Sequence, residues 1–246
     1  MKKIILSLSI IGVVSAIVIG ASVAYFSDTE VSEGNTFTAG SIDLKIDYRC
    51  EGGSCEIGFK DLDAGDHYFS ECDIKPGDSG EVTISWHVSE NKAWGRLKMD
   101  DVIDYEFDCT EPESEEDSTC EYNPADPGEG LGELSEYLTF TLWMDEGSVE
   151  GWQCGYTQGG CLADLKEGNN IFDEDTYDEY LAQDISVEEF KEGIVLPEEL
   201  DPENVYFVGL QWKLPSDTSN IVQSDSMVAS IIAEAVQSRN NPNPWQ

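Results

Sequence analysis

Four segments of the chain alternate apolar and polar residues with a period of two. The apolar positions are Ile42, Leu44, Ile46 and Tyr48; Val82, Ile84, Trp86 and Val88; Leu138, Phe140, Leu142 and Met144; and Val208, Leu210, Trp212 and Leu214. This period matches a β-strand that buries one face and not a helix. We therefore expect an all-β fold, and Trp86, Trp143 and Trp212 are expected in its core because each falls within such a strand.

Other segments are expected to form turns, loops and short helices outside the strands. Lys75–Asp78 (KPGD) is typical of a turn, and the acidic stretch Glu111–Gly132 is typical of a loop. Residues 176–192 place Tyr177, Tyr180 and Leu181 at helical spacing, and Ser186 with Glu189 forms a capping-box pattern. Asp225–Arg239 permits either a helix or a last strand.

The N-terminus has the pattern of a secretory signal peptide. Two lysines precede an almost unbroken apolar run of 16 residues from Ile4 to Ile19, and Ser22 and Ala24 form a small-x-small site before Tyr25. The run is shorter than the roughly 20 residues that span a bilayer comfortably. We expect export with cleavage before Tyr25 and membrane contact only through this segment; an uncleaved N-terminal anchor is the alternative.

The charge of the chain excludes two classes of partner. It contains 51 acidic and 13 basic residues, for a net charge of −38. Such a field repels nucleic acid and anionic lipid headgroups, and it attracts cations. Disorder does not explain this composition, because 40% of the residues are hydrophobic and 10% are aromatic, enough for a packed core.

Seven cysteines follow the apolar run, and in an exported protein they are read first as disulfides. The plausible local pairs, with Cys72 left over, are Cys50–Cys55, Cys109–Cys120 and Cys154–Cys161. An odd cysteine implies a free thiol or an intermolecular bridge. Zinc binding is the alternative, but the chain has no CxxC pair and only two histidines.

Several motifs carry a family resemblance. Residues 25–30 (YFSDTE), 35–44 (NTFTAGSIDL) and 73–80 (DIKPGDSG) resemble the TasA/CalY (camelysin) family. Blocks at 131–145, 208–215, 223–226 and 237–240 are similar to archaeal members. The resemblance implies an exported protein that is processed by a SipW-type signal peptidase. It also favours a strand for Asp225–Arg239, and it implies fibres assembled by donor-strand exchange of the N-terminal segment.

The residues themselves give a physical case for polymerisation. The segment freed by cleavage contains Phe26, Val31 and Phe37 and no proline. An extended segment of this kind can add to the open edge of a sheet in another copy, and head-to-tail addition of this kind generates filaments. The alternative is an intramolecular first strand in a monomer.

Peptidase chemistry finds little support in the sequence. A zinc peptidase needs about three protein ligands, commonly two histidines four residues apart on a helix. The chain has only His67 and His87, and no HExxH motif. His87 lies on the polar side of its alternating strand and is expected at the surface. We expect no enzyme, and no catalytic residue is assigned.

Calcium is the one expected cofactor. Residues 167–175 (EGNNIFDED) gather oxygen ligands around a glycine, and Asn169, Asp173 and Asp175 are the candidate ligands. The spacing does not match an EF-hand. A solvated acidic loop is the alternative, since acidic loops are common in so acidic a chain.

These observations divide the chain into a signal peptide (1–24), a donor-strand segment (25–40), a jelly-roll-type antiparallel β-sandwich with acidic loops and short peripheral helices (41–239), and a flexible tail (240–246). The expected function is that of a secreted structural subunit of an extracellular fibre, bundling pilus or biofilm matrix, whose partners are copies of itself. The alternatives are a secreted camelysin-like metalloendopeptidase and a monomeric, calcium-stabilised cell-surface protein.

Overall fold

The computed structural model describes residues 27–31, 43–50, 56–63, 65–71, 73–120, 128–154, 164–242 and 244–245. The predicted signal peptide, residues 1–24, lies outside these ranges. In chain order the described strands are β1 (Ser27–Val31), β2 (Leu44–Cys50), β3 (Glu56–Lys60), β4 (Ser79–Val88), β5 (Ala93–Glu106), β6 (Gly128–Glu129), β7 (Thr139–Met144), β8 (Glu179–Ser186), β9 (Ile194–Val195), β10 (Tyr206–Lys213) and β11 (Asp225–Gln237). Two short helices, α1 (Leu134–Tyr137) and α2 (Val187–Glu192), accompany 3-10 turns at Glu113–Glu115 and Asn220–Val222.

The strands form two antiparallel sheets. Sheet A has the order β1-β11-β5-β6, with β9 also paired to β5, and sheet B has the order β3-β2-β4-β10-β7-β8. Each described pairing is antiparallel. The expected all-β sandwich is confirmed. No helix within the described residues is long and apolar enough to cross a membrane.

One hydrophobic core joins the two sheets. Leu44, Ile84 and Val208 from sheet B are completely buried in the same cluster as Leu97 and Ala233 from sheet A. The four alternating segments predicted from the sequence supply the inner face of sheet B through β2, β4, β7 and β10. The alternating apolar residues of these strands therefore form a buried face of the sheet, as their period of two predicted.

The outer face of sheet B is also covered, by residues from the connection between β7 and β8. Phe172 from this connection contacts the Trp143 ring edge-on, at 6.4 Å between ring centroids. Asn170 accepts a hydrogen bond from the Thr83 hydroxyl at 2.9 Å. Trp86, Trp143 and Trp212 are all buried, as predicted, although Trp143 lies on this outer face.

The expectation of a surface position for His87 is wrong, since its side chain is 6% exposed. Both faces of β4 are buried from Val82 to Val88, so the polar side of this strand is not a solvent-exposed side. His87 Nε2 lies 3.5 Å from a carboxylate oxygen of Asp47 on the neighbouring strand β2.

The expected helix at residues 176–192 is only partly correct. The capping box of Ser186 and Glu189 is present and begins α2. Tyr180 and Leu181, however, belong to the edge strand β8, because this segment pairs with β7 instead of closing helical turns. For Asp225–Arg239 the sequence permitted a helix or a strand, and the structure has a strand, β11, as the family resemblance indicated.

The close approach of Trp143 to β10 gives a test of this packing. A Cβ atom at Gly209 would lie 2.0 Å from Trp143 Cε2, whereas a Cβ at Gly58 on β3 would meet nothing within 4 Å. Gly209→Ala is expected to lower the free energy of unfolding by about 2–3 kcal/mol through overpacking. Gly58→Ala, the matched control, should leave it unchanged or slightly raised, and chemical denaturation measures both.

Candidate functional site

The first candidate site is the outer edge of β11, where β1 is paired. Ser27 to Val31 run antiparallel to Val236 to Ile232, with Val31 opposite Ile232. Of the predicted donor-strand anchors, Val31 therefore lies in a strand, while Phe26 and Phe37 fall outside the described residues. The predicted cleavage residues Ser22, Ala24 and Tyr25 fall outside them as well.

The two edges of β11 are paired to different extents. On one side, β5 follows β11 from Asp225 to Gln237, interrupted by one irregularity between Val228 and Ser230. On the other side, β1 covers only five residues. Backbone groups along such an edge form a ready template for another strand.

Charged side chains of β5 and β11 lie close to this edge, together with the aromatic side chain of Trp245 from the C-terminal tail. Arg96 on β5 donates from Nε to the Glu234 carboxylate at 2.7 Å, and Lys98 Nζ lies 3.8 Å from the same side chain. The Arg96 guanidinium also lies 4.9 Å from the centre of the Trp245 ring. The register of β11 against β5 is thereby reinforced where β1 pairs.

The second candidate site is the predicted calcium loop, which packs on the outer face of sheet B. Asn169 Nδ2 donates to Asp173 Oδ2 at 3.2 Å, and its Oδ1 accepts from the Ile171 amide at 2.8 Å. Lys166 Nζ lies 3.4 Å from the same Asp173 oxygen. Asn169 and Asp173 are thus brought together but are engaged with protein partners, while Asp175 is exposed. Calcium binding by this loop stays a prediction.

Asp145, at the end of β7, anchors this loop and was not singled out from the sequence. Its side chain is completely buried, and it accepts a hydrogen bond from the Asn170 amide at 2.9 Å. Burial raises the pKa of Asp145 to about 7, and the nearby Asp178 carboxylate adds to the effect. The neutral form therefore dominates in the folded protein below neutral pH.

This raised pKa predicts a pH dependence of stability. Because the folded protein holds the Asp145 proton more tightly than the unfolded chain, the free energy of unfolding should fall as pH rises from about 4 to about 7. Between pH 5 and pH 7 the wild type should lose about 2 kcal/mol more than Asp145→Asn, which has no proton to release at this position.

The matched control is Asp184→Asn, which removes an exposed carboxylate from β8. It should keep the pH slope of the wild type, as measured by chemical denaturation across this range. A wild-type slope equal to that of Asp145→Asn would contradict the assignment.

One of the predicted disulfides is present. Cys109 and Cys120 are bonded and enclose the acidic segment between β5 and β6. Cys154 is also disulfide-bonded, while its predicted partner Cys161 and the predicted pair Cys50–Cys55 are not within the part of the chain whose side chains are described. The loop between Cys109 and Cys120 carries two buried acidic side chains, Glu113 and Asp117.

Groups of side chains close enough to share a metal ion occur at one place among the described residues. They are Glu106, Glu133 and Asp225, and an overlapping group of Glu106, Asp117 and Cys120. Neither group includes a histidine. Cys120 is bonded to Cys109, so its sulfur is no thiolate ligand.

The comparison with known families concerns the N-terminal part of the chain. Residues 1–93 match the family model described as camelysin metallo-endopeptidase. The resemblance to the camelysin family is confirmed. The matched region includes the two N-terminal motifs, β1 and the KPGD turn, whereas the blocks similar to archaeal members lie outside it. No curated protein matches the chain.

Proposed function

We propose that this camelysin-like protein is a secreted structural subunit of an extracellular fibre, bundling pilus or biofilm matrix. The observation that carries the proposal is the pairing of the five-residue strand β1 with the outer edge of β11. The same backbone hydrogen bonds form equally well when β1 belongs to a neighbouring copy, because strand addition uses main-chain groups.

The connection after β1 is long enough for such an exchange. Residues 32–43 join Val31 to Leu44, the first residue of β2. Twelve extended residues span up to about 40 Å. The β1 strand of one copy can therefore reach the β11 edge of the next, and head-to-tail repetition yields an open filament.

Export and processing fit the same proposal. Cleavage before Tyr25 by a SipW-type signal peptidase would release the residues that precede β1, so that the strand is free to move between copies. An intact signal segment would hold β1 near the membrane and block polymerisation. The partners are copies of this chain, and the net charge of −38 disfavours nucleic acid.

Cross-linking distinguishes a donated strand from a retained one. Ser27 lies opposite Val236, and cross-strand partners have Cβ atoms about 4.5–5.5 Å apart. One sample carries Ser27→Cys, a second carries Val236→Cys, and the two are mixed under assembly conditions with a short thiol cross-linker. We expect covalent dimers that contain one copy of each variant, detected by denaturing gel electrophoresis and mass spectrometry.

Each single variant alone is the control for native cysteines and should give no such dimer. The double variant Ser27→Cys/Val236→Cys should give ladders of linked chains under the same conditions. If the double variant cross-links only within single chains and the mixture gives no heterodimer, β1 is an intramolecular strand. That result would favour the monomeric surface protein instead.

The matched family, described as camelysin metallo-endopeptidase, supports a second candidate function, that of a secreted metallo-endopeptidase. Casein digestion by the purified protein, with and without a chelator, separates the two functions. The structural proposal expects no chelator-sensitive proteolysis. Cleavage abolished by chelator and by substitution of a specific ligand would support the peptidase.

A further inference from the structure

Five acidic side chains converge where one end of sheet A meets the loop closed by the Cys109–Cys120 disulfide. They are Glu106, Glu113, Asp117, Glu133 and Asp225, and we call them the carboxylate cluster. Glu106 ends β5 and Asp225 begins β11, where the two residues are paired in register. Glu133 immediately precedes α1, and Glu113 and Asp117 lie within the disulfide-closed loop.

Four of the five members have one carboxylate oxygen hydrogen-bonded within the protein; in Glu106 it is Oε1, which accepts from the Asp108 amide at 3.2 Å. Asp225 Oδ2 accepts from the Glu133 amide at 2.6 Å, and Asp117 Oδ1 accepts from the amide and hydroxyl of Thr119 at 2.8 and 2.7 Å. Glu113 Oε2 accepts from the Ser224 hydroxyl at 3.0 Å. These bonds hold the carboxylates in place.

The second oxygen of each member is buried and has no hydrogen-bond partner. These atoms are Glu106 Oε2, Glu113 Oε1, Asp117 Oδ2, Glu133 Oε2 and Asp225 Oδ1. Glu106 is 1% exposed and Glu113 is 0% exposed, so bulk water does not satisfy them. Buried polar atoms in folded proteins almost always have partners, and five orphaned oxygens at one place point to a missing ligand.

No protein cation balances the cluster among the described residues. The ion pairs in this part of the chain involve none of the five side chains. Burial and, after it, repulsion from the Glu113 and Asp225 carboxylates together raise the pKa of Glu106 to about 7. Burial, followed by repulsion from Asp117 and Asp225, also raises the pKa of Glu133 to about 7.

Shared protons are the alternative way to neutralise such a cluster. A protonated carboxyl must donate its O–H to an acceptor. A cation placed among Glu106, Glu133 and Asp225, whose carboxylate oxygens lie within 4.8 Å of one another, would instead be bound by all three side chains at once. Shared protons give no response to calcium, so the titration below distinguishes the two.

We propose that the carboxylate cluster binds one Ca²⁺ ion, with Glu106, Glu133 and Asp225 as the ligands and Asp117, which lies beside Glu106, as the nearest further carboxylate. Oxygen atoms of the three central residues lie within 4.8 Å of one another. Two ligands on opposite sides of Ca²⁺ are separated by about twice its bond length of 2.3–2.6 Å, which matches this spacing. An all-oxygen, strongly anionic donor set favours a hard cation over zinc or copper.

The site would link four parts of the chain. Ca²⁺ would join the end of β5 and the start of β11 to the disulfide-closed loop and to the residue before α1. The cluster lies far along β11 from residues Ile232–Val236, which pair with β1. The calcium proposal is therefore independent of strand donation, and each of the two can be contradicted without affecting the other.

Calcium titration with a matched pair of variants tests the proposal. In the wild type, calorimetry should detect one Ca²⁺ per chain, and the melting temperature should rise by about 5–10 °C at a Ca²⁺ concentration about a hundredfold above Kd. The double variant Glu106→Gln/Asp225→Asn should bind at least about tenfold more weakly, since loss of even an outer-shell partner has this effect. In chelator it should melt above the wild type, because repulsion is relieved.

The double variant Asp173→Asn/Asp175→Asn removes the same number of charges from the other candidate loop and should keep the wild-type response. If calcium binding is instead lost in this control and kept in the cluster variant, the site lies in the loop and the proposal is wrong. Absence of calcium binding and stabilisation in the wild type overturns it equally.

A second measurement, made on the wild type, keeps the proposal testable even if the double variant Glu106→Gln/Asp225→Asn does not fold. Tyr105 directly precedes Glu106 in β5, so Tb³⁺ bound at the cluster should show tyrosine-sensitised luminescence that Ca²⁺ displaces. The single variant Glu133→Gln should weaken this signal. Tb³⁺ luminescence that is absent, or unchanged in Glu133→Gln, contradicts the proposal.

Discussion

Backbone amide and carbonyl groups need hydrogen-bond partners, and β11 finds them on both of its edges. β5 satisfies one edge of this strand along nearly its full length. On the other edge, β1 pairs with Ile232 to Val236. The source of that strand, the same copy or a neighbouring one, decides between a monomer and a fibre.

Charge is the second constraint, and it is concentrated at the other end of β11. A chain with 51 acidic residues repels itself, and the carboxylate cluster places five of them in one buried region. Sequence reasoning predicted that cations would be attracted but looked for them in residues 167–175, where ligands are close in sequence. Glu106, Glu133 and Asp225 are far apart in sequence, and only the pairing of β5 with β11 and the position of α1 bring them together.

The fold was predictable where one face of a strand is buried and the other is polar. The period of two identified β2, β4, β7 and β10, and the capping box identified the start of α2. The edge strand β8 was predicted to be helical. Its residues do not alternate between buried and exposed positions one by one, so this strand leaves no period of two in the sequence. His87 was placed at the surface because an alternating pattern does not report whether the polar face of a strand is itself covered, and both faces of β4 are buried from Val82 to Val88.

Negative-stain electron microscopy of two forms of the protein tests the central claim most directly. One form begins at Tyr25, and the other retains the N-terminal segment in detergent; both are concentrated under the same conditions. Strand donation predicts regular filaments from the form that begins at Tyr25 and discrete particles from the uncleaved form. Discrete particles from both forms would contradict the account and would identify β1 as a strand that each copy keeps for itself.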